Sequence, residues 1–234
     1  MFGFIDADDA TIKHFNLVAL GIMGLDRVHR RDTFVAINDN ARRVDPNLVA
    51  FLKYTDNEAE CQADPEKMAI KLVYDLNKST PFKGKIRMLD FPDETITLKG
   101  FSSYDLRGLI GAKGWLRKVY ENKSSTYVSV LRMYFNVLKS LFPVQWKDQR
   151  KYIIFTNRGI SAFLKLLRSM LRTENRKLNA TIVKKYLQVL KDEWKDVDWE
   201  ITELRSAYVG SGGWSDFHKE LVATVRKKFR KFKS

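Results

Sequence analysis

The chain has few of the residues that build metal sites and disulfides. Its 234 residues include one cysteine, Cys61, and three histidines, His14, His29 and His218. A single cysteine excludes an intramolecular disulfide and any zinc site that needs several cysteines. The three histidines show no spacing typical of metal ligands. The sequence therefore predicts neither a metal nor a cofactor.

Long apolar runs are also missing. No run approaches the roughly 20 residues needed to cross a bilayer. The first ten residues are acidic, unlike a secretory signal, which is basic and then apolar. The sequence thus predicts a soluble, cytoplasmic protein that does not enter a membrane. Hydrophobic residues make up 44% of the chain, which is enough for a sizeable core and excludes global disorder.

Positive charge is abundant, and it is unevenly placed. Residues 1–100 hold 14 basic and 16 acidic side chains, a net charge of −2, whereas residues 101–234 hold 28 and 12, a net charge of +16. So basic a segment predicts an anionic partner, with nucleic acid as the first candidate. An acidic protein partner and an ordinary solvated, lysine-rich surface are the alternatives.

The first hundred residues mix two kinds of pattern. A short apolar run over residues 15–23 predicts a buried strand, and alternating stretches over residues 85–89 and 95–99 predict half-buried strands. The pairs Asp45-Pro46 and Asp64-Pro65 predict helix starts, because aspartate caps a helix and proline fits its first position. Strands and helices are therefore both expected in this part of the chain.

Beyond residue 100 the apolar residues recur at steps of three and four, which predicts helices only. We therefore predict an α+β fold of two parts. The first, over residues 1–100, is a small mixed α/β lobe, and the second, over residues 101–234, is a basic, mainly α-helical lobe.

Several basic side chains are candidate phosphate contacts. Arg168, Arg172 and Arg176 follow one another at four-residue spacing, which places them on one face of a helix. Such stripes can follow a nucleic-acid backbone, although they also occur on ordinary solvated faces. The other candidates of this kind are Lys184 and Lys185 on the next predicted helix, and Arg226, Lys227, Lys228 and Arg230 near the end of the chain.

Two further segments carry anion-binding residue types. In the Gly-Ser-Gly-Gly-Trp stretch over residues 210–214, a loop before a helix is predicted to turn the backbone N–H groups of Ser211, Gly212 and Gly213 toward an anion. The alternative is a flexible turn in which the tryptophan anchors the core. Asn38 precedes Arg42 and Arg43, and this group predicts either a phosphate grip or the cap of a helix C-terminus.

The order of these motifs resembles that of the DGQHR-domain family, relatives of the DndB proteins of bacterial DNA phosphorothioation systems and distant kin of ParB-like domains. Met1-Phe2-Gly3-Phe4 is similar to the stretch that follows the family's Asp-Gly-Gln-His-Arg signature. The other similar segments are residues 15–20 (a strand), residues 34–38 with Arg42-Arg43-Val44 (a helix and basic segment), and residues 208–214 near the C-terminus. The signature itself is missing, so we expect a family member truncated just after it.

The resemblance implies a fold and a function. The α/β lobe would be a partial ParB-like lobe, in which Asn38, Arg42 and Arg43 remain from a nucleotide site. Loss of the signature segment would expose a strand edge and favour a homo-oligomer. The implied function is a DNA-binding accessory or regulatory protein of a bacterial DNA-modification or phage-defence system, with other proteins of that system as partners.

Two other functions stay open on the sequence. One is a ParB-like nucleotide hydrolase or nuclease, and the other is a subunit that only binds proteins. No set of residues has the pattern of a catalytic site, so the sequence predicts no catalytic residue and no nucleotide turnover.

Overall fold

The computed structural model describes residues 26–40, 45–89, 96–148, 151–195, 200 and 210–233. These residues are mostly helical. A 3-10 turn at Ile153–Phe155 accompanies the α-helices. The helices are α1 (Arg27–Asn40), α2 (Pro46–Leu52), α3 (Glu58–Ala63), α4 (Pro65–Asn77), α5 (Leu98–Phe101), α6 (Tyr104–Ile110), α7 (Trp115–Val119), α8 (Ser124–Leu141), α9 (Asn157–Glu174), α10 (Ala180–Glu193) and α11 (Gly210–Lys228).

The predicted α+β fold with a mixed α/β lobe is wrong. In the part of the chain that the structure describes, β pairing is limited to two isolated bridges, Arg87 with Thr97 and Tyr152 with Glu200, and there is no sheet. The strand predicted over residues 15–23 lies outside the described residues. Burial explains why residues 85–89 resemble a strand: Ile86 is 3% exposed, so its alternation with polar neighbours marks one anchored side chain.

One parallel bridge between Arg87 and Thr97, with two backbone hydrogen bonds of 2.9 Å, stands where a ladder was predicted, and side-chain hydrogen bonds hold the residues around it. The side chain of Asn77 donates to the carbonyl of Ile86 over 3.3 Å and accepts from its N–H group over 3.1 Å. Eleven residues after Ile86, the hydroxyl of Thr97 accepts from the N–H group of Gly100 over 3.0 Å and caps α5. The backbone therefore enters a short helix where the sequence predicts a strand.

The two predicted aspartate–proline helix starts are confirmed. The Asp45 carboxylate accepts from the N–H group of Asn47 over 2.8 Å at the start of α2. The Asp64 carboxylate accepts from that of Glu66 over 2.7 Å at the start of α4. These signals are reliable because a cap needs only residues that are adjacent in the chain.

One hydrophobic cluster runs through the described residues, from Ala50 to Phe232. Helix α8 packs against α4 and α10, while α9 packs against α6, α7 and α11. Near the middle, the ring of Phe82 meets those of Phe101, Phe135 and Trp146 with centroids 4.9–5.5 Å apart. Core packing therefore crosses the boundary near residue 100, where we predicted that one lobe ends and the next begins.

The start of α9 is fixed by the segment before α5. The N–H group of Thr97 donates to the Asn157 side-chain oxygen over 2.9 Å, and the Asn157 amide donates to the Thr97 hydroxyl over 3.1 Å. At the same helix end, the Thr156 hydroxyl accepts from the N–H group of Gly159 over 2.9 Å. These bonds set the position of α9, which carries Arg168 and Arg172.

Candidate nucleic-acid interface

A basic cleft of about 590 Å³ lies between α6, α7 and α9. Its walls carry four cationic side chains and two aromatic rings, and none of the described residues that line it is acidic. The small residues of its floor are Gly108, Gly111, Ala112 and Gly114. The larger lining residues are Tyr104, Lys113, Trp115, Lys118, Arg168 and Arg172. We call this set of ten residues the basic cleft.

The Arg168 side chain extends from α9 to α6 and contacts α6 at Gly108, which has no side chain. Its guanidinium Nη2 donates to the backbone carbonyl of Asp105 over 3.5 Å. A Cβ atom on Gly108 would lie 2.6 Å from the same Nη2 atom, too close for an undisturbed contact. Glycine at position 108 is therefore what lets the guanidinium lie against α6. Arg172, one turn further along α9, lines the same cleft.

A second hydrogen bond joins α6 to α9, between two residues that do not line the cleft. The Ser161 hydroxyl of α9 donates to the carboxylate of Asp105 in α6. Because Arg168 bonds the backbone of the same aspartate, Asp105 fixes the spacing of the two helices at two points. These two bonds hold α6 and α9, which carry residues of the basic cleft, against each other.

His218 of α11 lies near this junction. The pKa of His218 is lowered to about 4, mainly because the ring is buried and also because the cations of Lys165 and Arg168 oppose its protonation, while Asp105 acts in the other direction. Its Nε2 atom is buried without a hydrogen-bond partner among the described residues. The neutral ring is therefore the form that the fold accepts.

This pKa predicts a stability loss in acid. The unfolded chain takes up a proton at His218 near pH 6.5, whereas the folded chain does so only near pH 4. The stability that the folded chain gains by keeping His218 neutral is fully present above about pH 6.5 and is lost as the pH falls toward 4. We expect His218→Gln to remove about 1–2 kcal/mol of this loss, a figure reduced because part of the ring faces solvent. Urea unfolding of the protein and the variant at several pH values measures this loss. If the variant keeps the pH dependence of the unaltered protein, His218 is not its cause.

The remaining wall is the segment that leads into α7. A Cβ atom on Gly114 would lie 2.1 Å from the carbonyl oxygen of Leu109, so only glycine allows the chain to turn this closely before α7. The turn brings Trp115 and Lys118 to the cleft, and the Lys118 Nζ atom lies 4.7 Å from the centroid of the Trp115 ring. Opposite, Tyr104 at the start of α6 is 77% exposed.

The structure brings together two of the predicted contacts and separates the others. Arg168 and Arg172 share the basic cleft. Arg176 does not join them, because α9 ends at Glu174 and Asn175 adopts a left-handed φ of 48°. The Arg176 guanidinium pairs with Glu174 instead, over 3.0 Å. The periodic spacing thus continues in sequence past the point where the helix ends.

The other predicted lysines and arginines lie on α10, α11 and the end of the chain. Lys184 is exposed, and the Lys185 Nζ atom lies 4.7 Å from the centroid of the Phe229 ring. Arg226 donates to the carbonyl of Phe232 over 2.8 Å, which folds the end of the chain back onto α11. The remaining candidates, which are exposed and do not line the basic cleft, are Lys227, Lys228 and Arg230.

Two predicted anion sites fall largely outside the described part of the chain. Arg42 and Arg43 are not described, and the side chain of Asn38 lies outside the description as well. Ser211, Gly212 and Gly213 belong to the first turns of α11, so the structure has helix where we predicted a loop. Their side chains also lie outside the description.

The sequence reasoning missed Tyr104, Lys113, Trp115 and Lys118. A signal for them exists in the stretch Gly-Leu-Ile-Gly-Ala-Lys-Gly-Trp over residues 108–115, where glycines recur every three residues beside a lysine and a tryptophan. Glycines interleaved with basic and aromatic residues are typical of a segment that lets a ligand approach the backbone.

Other site types find little support in the described residues. Cys61 is buried, and burial together with Glu58 raises the pKa of its thiol to about 11, so it is a poor nucleophile at neutral pH. No group of three or more His, Cys, Asp or Glu side chains within the described ranges could hold a metal ion. No described helix is long and apolar enough to cross a bilayer.

The fold and the cleft define an all-helical structure, over the described residues, with a basic cleft flanked by aromatic rings. Comparisons with known proteins do not extend this description: no family model, no curated protein and no solved structure matches the chain.

Proposed function

We propose that this chain binds DNA through the basic cleft. The observation that carries the proposal is the convergence of Lys113, Lys118, Arg168 and Arg172 on one cleft whose described lining contains no carboxylate. Clustered cations attract the phosphate backbone and release its counterions on binding, which favours association at low salt. The +16 net charge of residues 101–234 supports the same partner over a longer range.

The narrower role rests on sequence alone. The motif order that resembles the DGQHR-domain family supports an accessory or regulatory factor of a bacterial DNA-modification or phage-defence system, acting in the cytoplasm with other proteins of that system. The basic cleft supports only the contact with DNA, and the experiments below test that contact.

The contact is tested by titrating a fluorescently labelled DNA of about 20 nucleotides with the protein between about 50 and 200 mM salt. Four cations in the cleft predict a slope of log affinity against log salt of about −3 to −4. Four to six phosphate contacts, spread over all the basic helices, would give a steeper slope of about −4 to −5. Absence of binding at the lowest salt would contradict the proposal and favour a protein partner.

A substitution at Gly108 tests the shape of the cleft without removing a charge. In Gly108→Ala, the new Cβ atom would displace the Arg168 guanidinium, which is the far end of a flexible side chain. Alanine is favoured over glycine within a helix by about 1 kcal/mol, so the free energy of unfolding should stay equal or rise. We expect DNA affinity to fall about 5-fold. Anisotropy titration measures the affinity and urea unfolding measures the stability. If the variant loses stability as well as affinity, displacement of the guanidinium is not the cause of the weaker binding.

A further inference from the structure

The basic cleft also has features that distinguish one form of DNA from another. We infer that it binds a single strand, with an unpaired base stacked on Tyr104. This inference rests on the proposed function and goes beyond it, because a surface that only attracts phosphates would take single and double strands alike.

The first observation is the position of Tyr104. It is the first residue of α6, and 77% of its surface is exposed. A tyrosine ring left in water gains little from burial in the fold, whereas a ring beside cations offers a face for stacking. Tyr104 lies one helical turn before Gly108, and both residues line the cleft.

The second observation is that, apart from Lys113, the lining residues between the two aromatic residues are small. From Tyr104 to Trp115, the floor consists of Gly108, Gly111, Ala112 and Gly114, none of which has a side chain larger than a methyl group. The Arg168 guanidinium lies close above Gly108. A guanidinium is planar and stacks on bases as well as pairing with phosphates, so the floor offers a second flat surface beside the Tyr104 ring.

The third observation is that cations accompany the aromatic rings. Lys118 Nζ lies 4.7 Å from the centroid of the Trp115 ring, and Arg168 lines the same cleft as Tyr104. A nucleic-acid strand carries one phosphate for each base. Alternating aromatic and cationic groups therefore match a strand whose bases and phosphates both contact the protein, which is the usual arrangement in single-strand binding sites.

The size of the cleft favours the same partner. The volume of about 590 Å³ gives room for one or two nucleotides in a cleft that is open to solvent. A duplex keeps its bases paired and stacked, so it can offer only its phosphates to the edge of such a cleft. The cleft therefore favours unpaired bases over a duplex.

The test compares three labelled probes of about 20 nucleotides, oligo-dT, oligo-rU and a DNA duplex, with the protein and two variants. We expect oligo-dT to bind at least about 10-fold more tightly than the duplex. Tyr104→Ala should weaken oligo-dT binding about 5- to 150-fold, the range that corresponds to one stacked base. Tyr104→Phe keeps the ring and should bind like the unaltered protein. Neither variant should change duplex binding by more than about 2-fold, since phosphate contacts remain.

The outcomes separate this inference from the proposed function. Equal affinity for strand and duplex, with no effect of Tyr104→Ala, overturns the single-strand inference and leaves DNA binding intact. Loss of oligo-dT binding in Tyr104→Phe as well as Tyr104→Ala overturns stacking as the cause. Much tighter binding of oligo-rU overturns the choice of DNA. Absence of binding to all three probes overturns the proposed function itself. Because Tyr104 is exposed, both variants should unfold at the same urea concentration as the unaltered protein.

Discussion

Replacing Arg168 and Arg172 together with glutamate should lower the affinity for DNA about 100-fold at low salt. The two arginines are half of the cations that line the basic cleft, and the double change replaces two attractions with two repulsions. The slope of log affinity against log salt should shrink to about −1 to −2, because two phosphate contacts are lost. Anisotropy titrations at several salt concentrations give both quantities in one experiment.

The matched control reverses two charges outside the cleft. Lys184→Glu with Lys227→Glu changes the net charge by the same amount, and both lysines are exposed residues that do not line the basic cleft. We expect this variant to lose less than about 5-fold in affinity, through long-range attraction alone. Equal losses in the two double variants would contradict a localised site and favour contacts spread over the basic helices.

The second large effect is on stability. Phe82→Ala should lower the free energy of unfolding by about 3–5 kcal/mol, the usual result of emptying a buried aromatic site. The Phe82 ring is fully buried, and its neighbours are Phe101, Phe135 and Trp146. Since these neighbours follow residue 100 in the chain and Phe82 precedes it, the loss should affect both predicted lobes at once.

Urea unfolding followed by tryptophan fluorescence and by circular dichroism tests this prediction. We expect one transition, at the same midpoint by both methods, that moves to lower urea in Phe82→Ala. Tyr104→Ala removes an exposed aromatic ring and is the control, with a change below about 0.5 kcal/mol. Two separate transitions, only one of which moves, would contradict the shared core and support two independent lobes.

The sequence predicted features that depend on adjacent residues. The caps at Asp45 and Asp64 are local, and the structure confirms both. The strand prediction over residues 85–89 failed because alternation of polar and apolar residues reports burial, and a loop anchored by Ile86 buries one side chain as a strand would. The local pattern cannot separate these two cases, because it does not tell which group will accept the backbone hydrogen bond. Here the Asn77 side chain accepts from the N–H group of Ile86, and the fold brings the two together.

The candidate site shows the same limit. Arg168 and Arg172 were found because helical spacing places them on one face. Arg176 has the same spacing, but the helix ends before it. Tyr104 and Trp115 lie in two other short helices, and only the packing of α6 and α7 on α9 brings them to the arginines. A glycine-rich stretch was recognised at residues 210–214, whereas the one at residues 108–114 lines the cleft.

The contact between Gly108 and Arg168 has a consequence for evolution. A side chain at position 108 would displace the Arg168 guanidinium from the cleft, so in relatives that keep the same ligand the two positions should not vary independently. We expect an arginine at position 168 to be inherited together with glycine at position 108. Lineages that acquire a side chain at position 108 should also exchange the arginine for a shorter residue. Such paired changes would mark the relatives in which the cleft has taken up a different ligand.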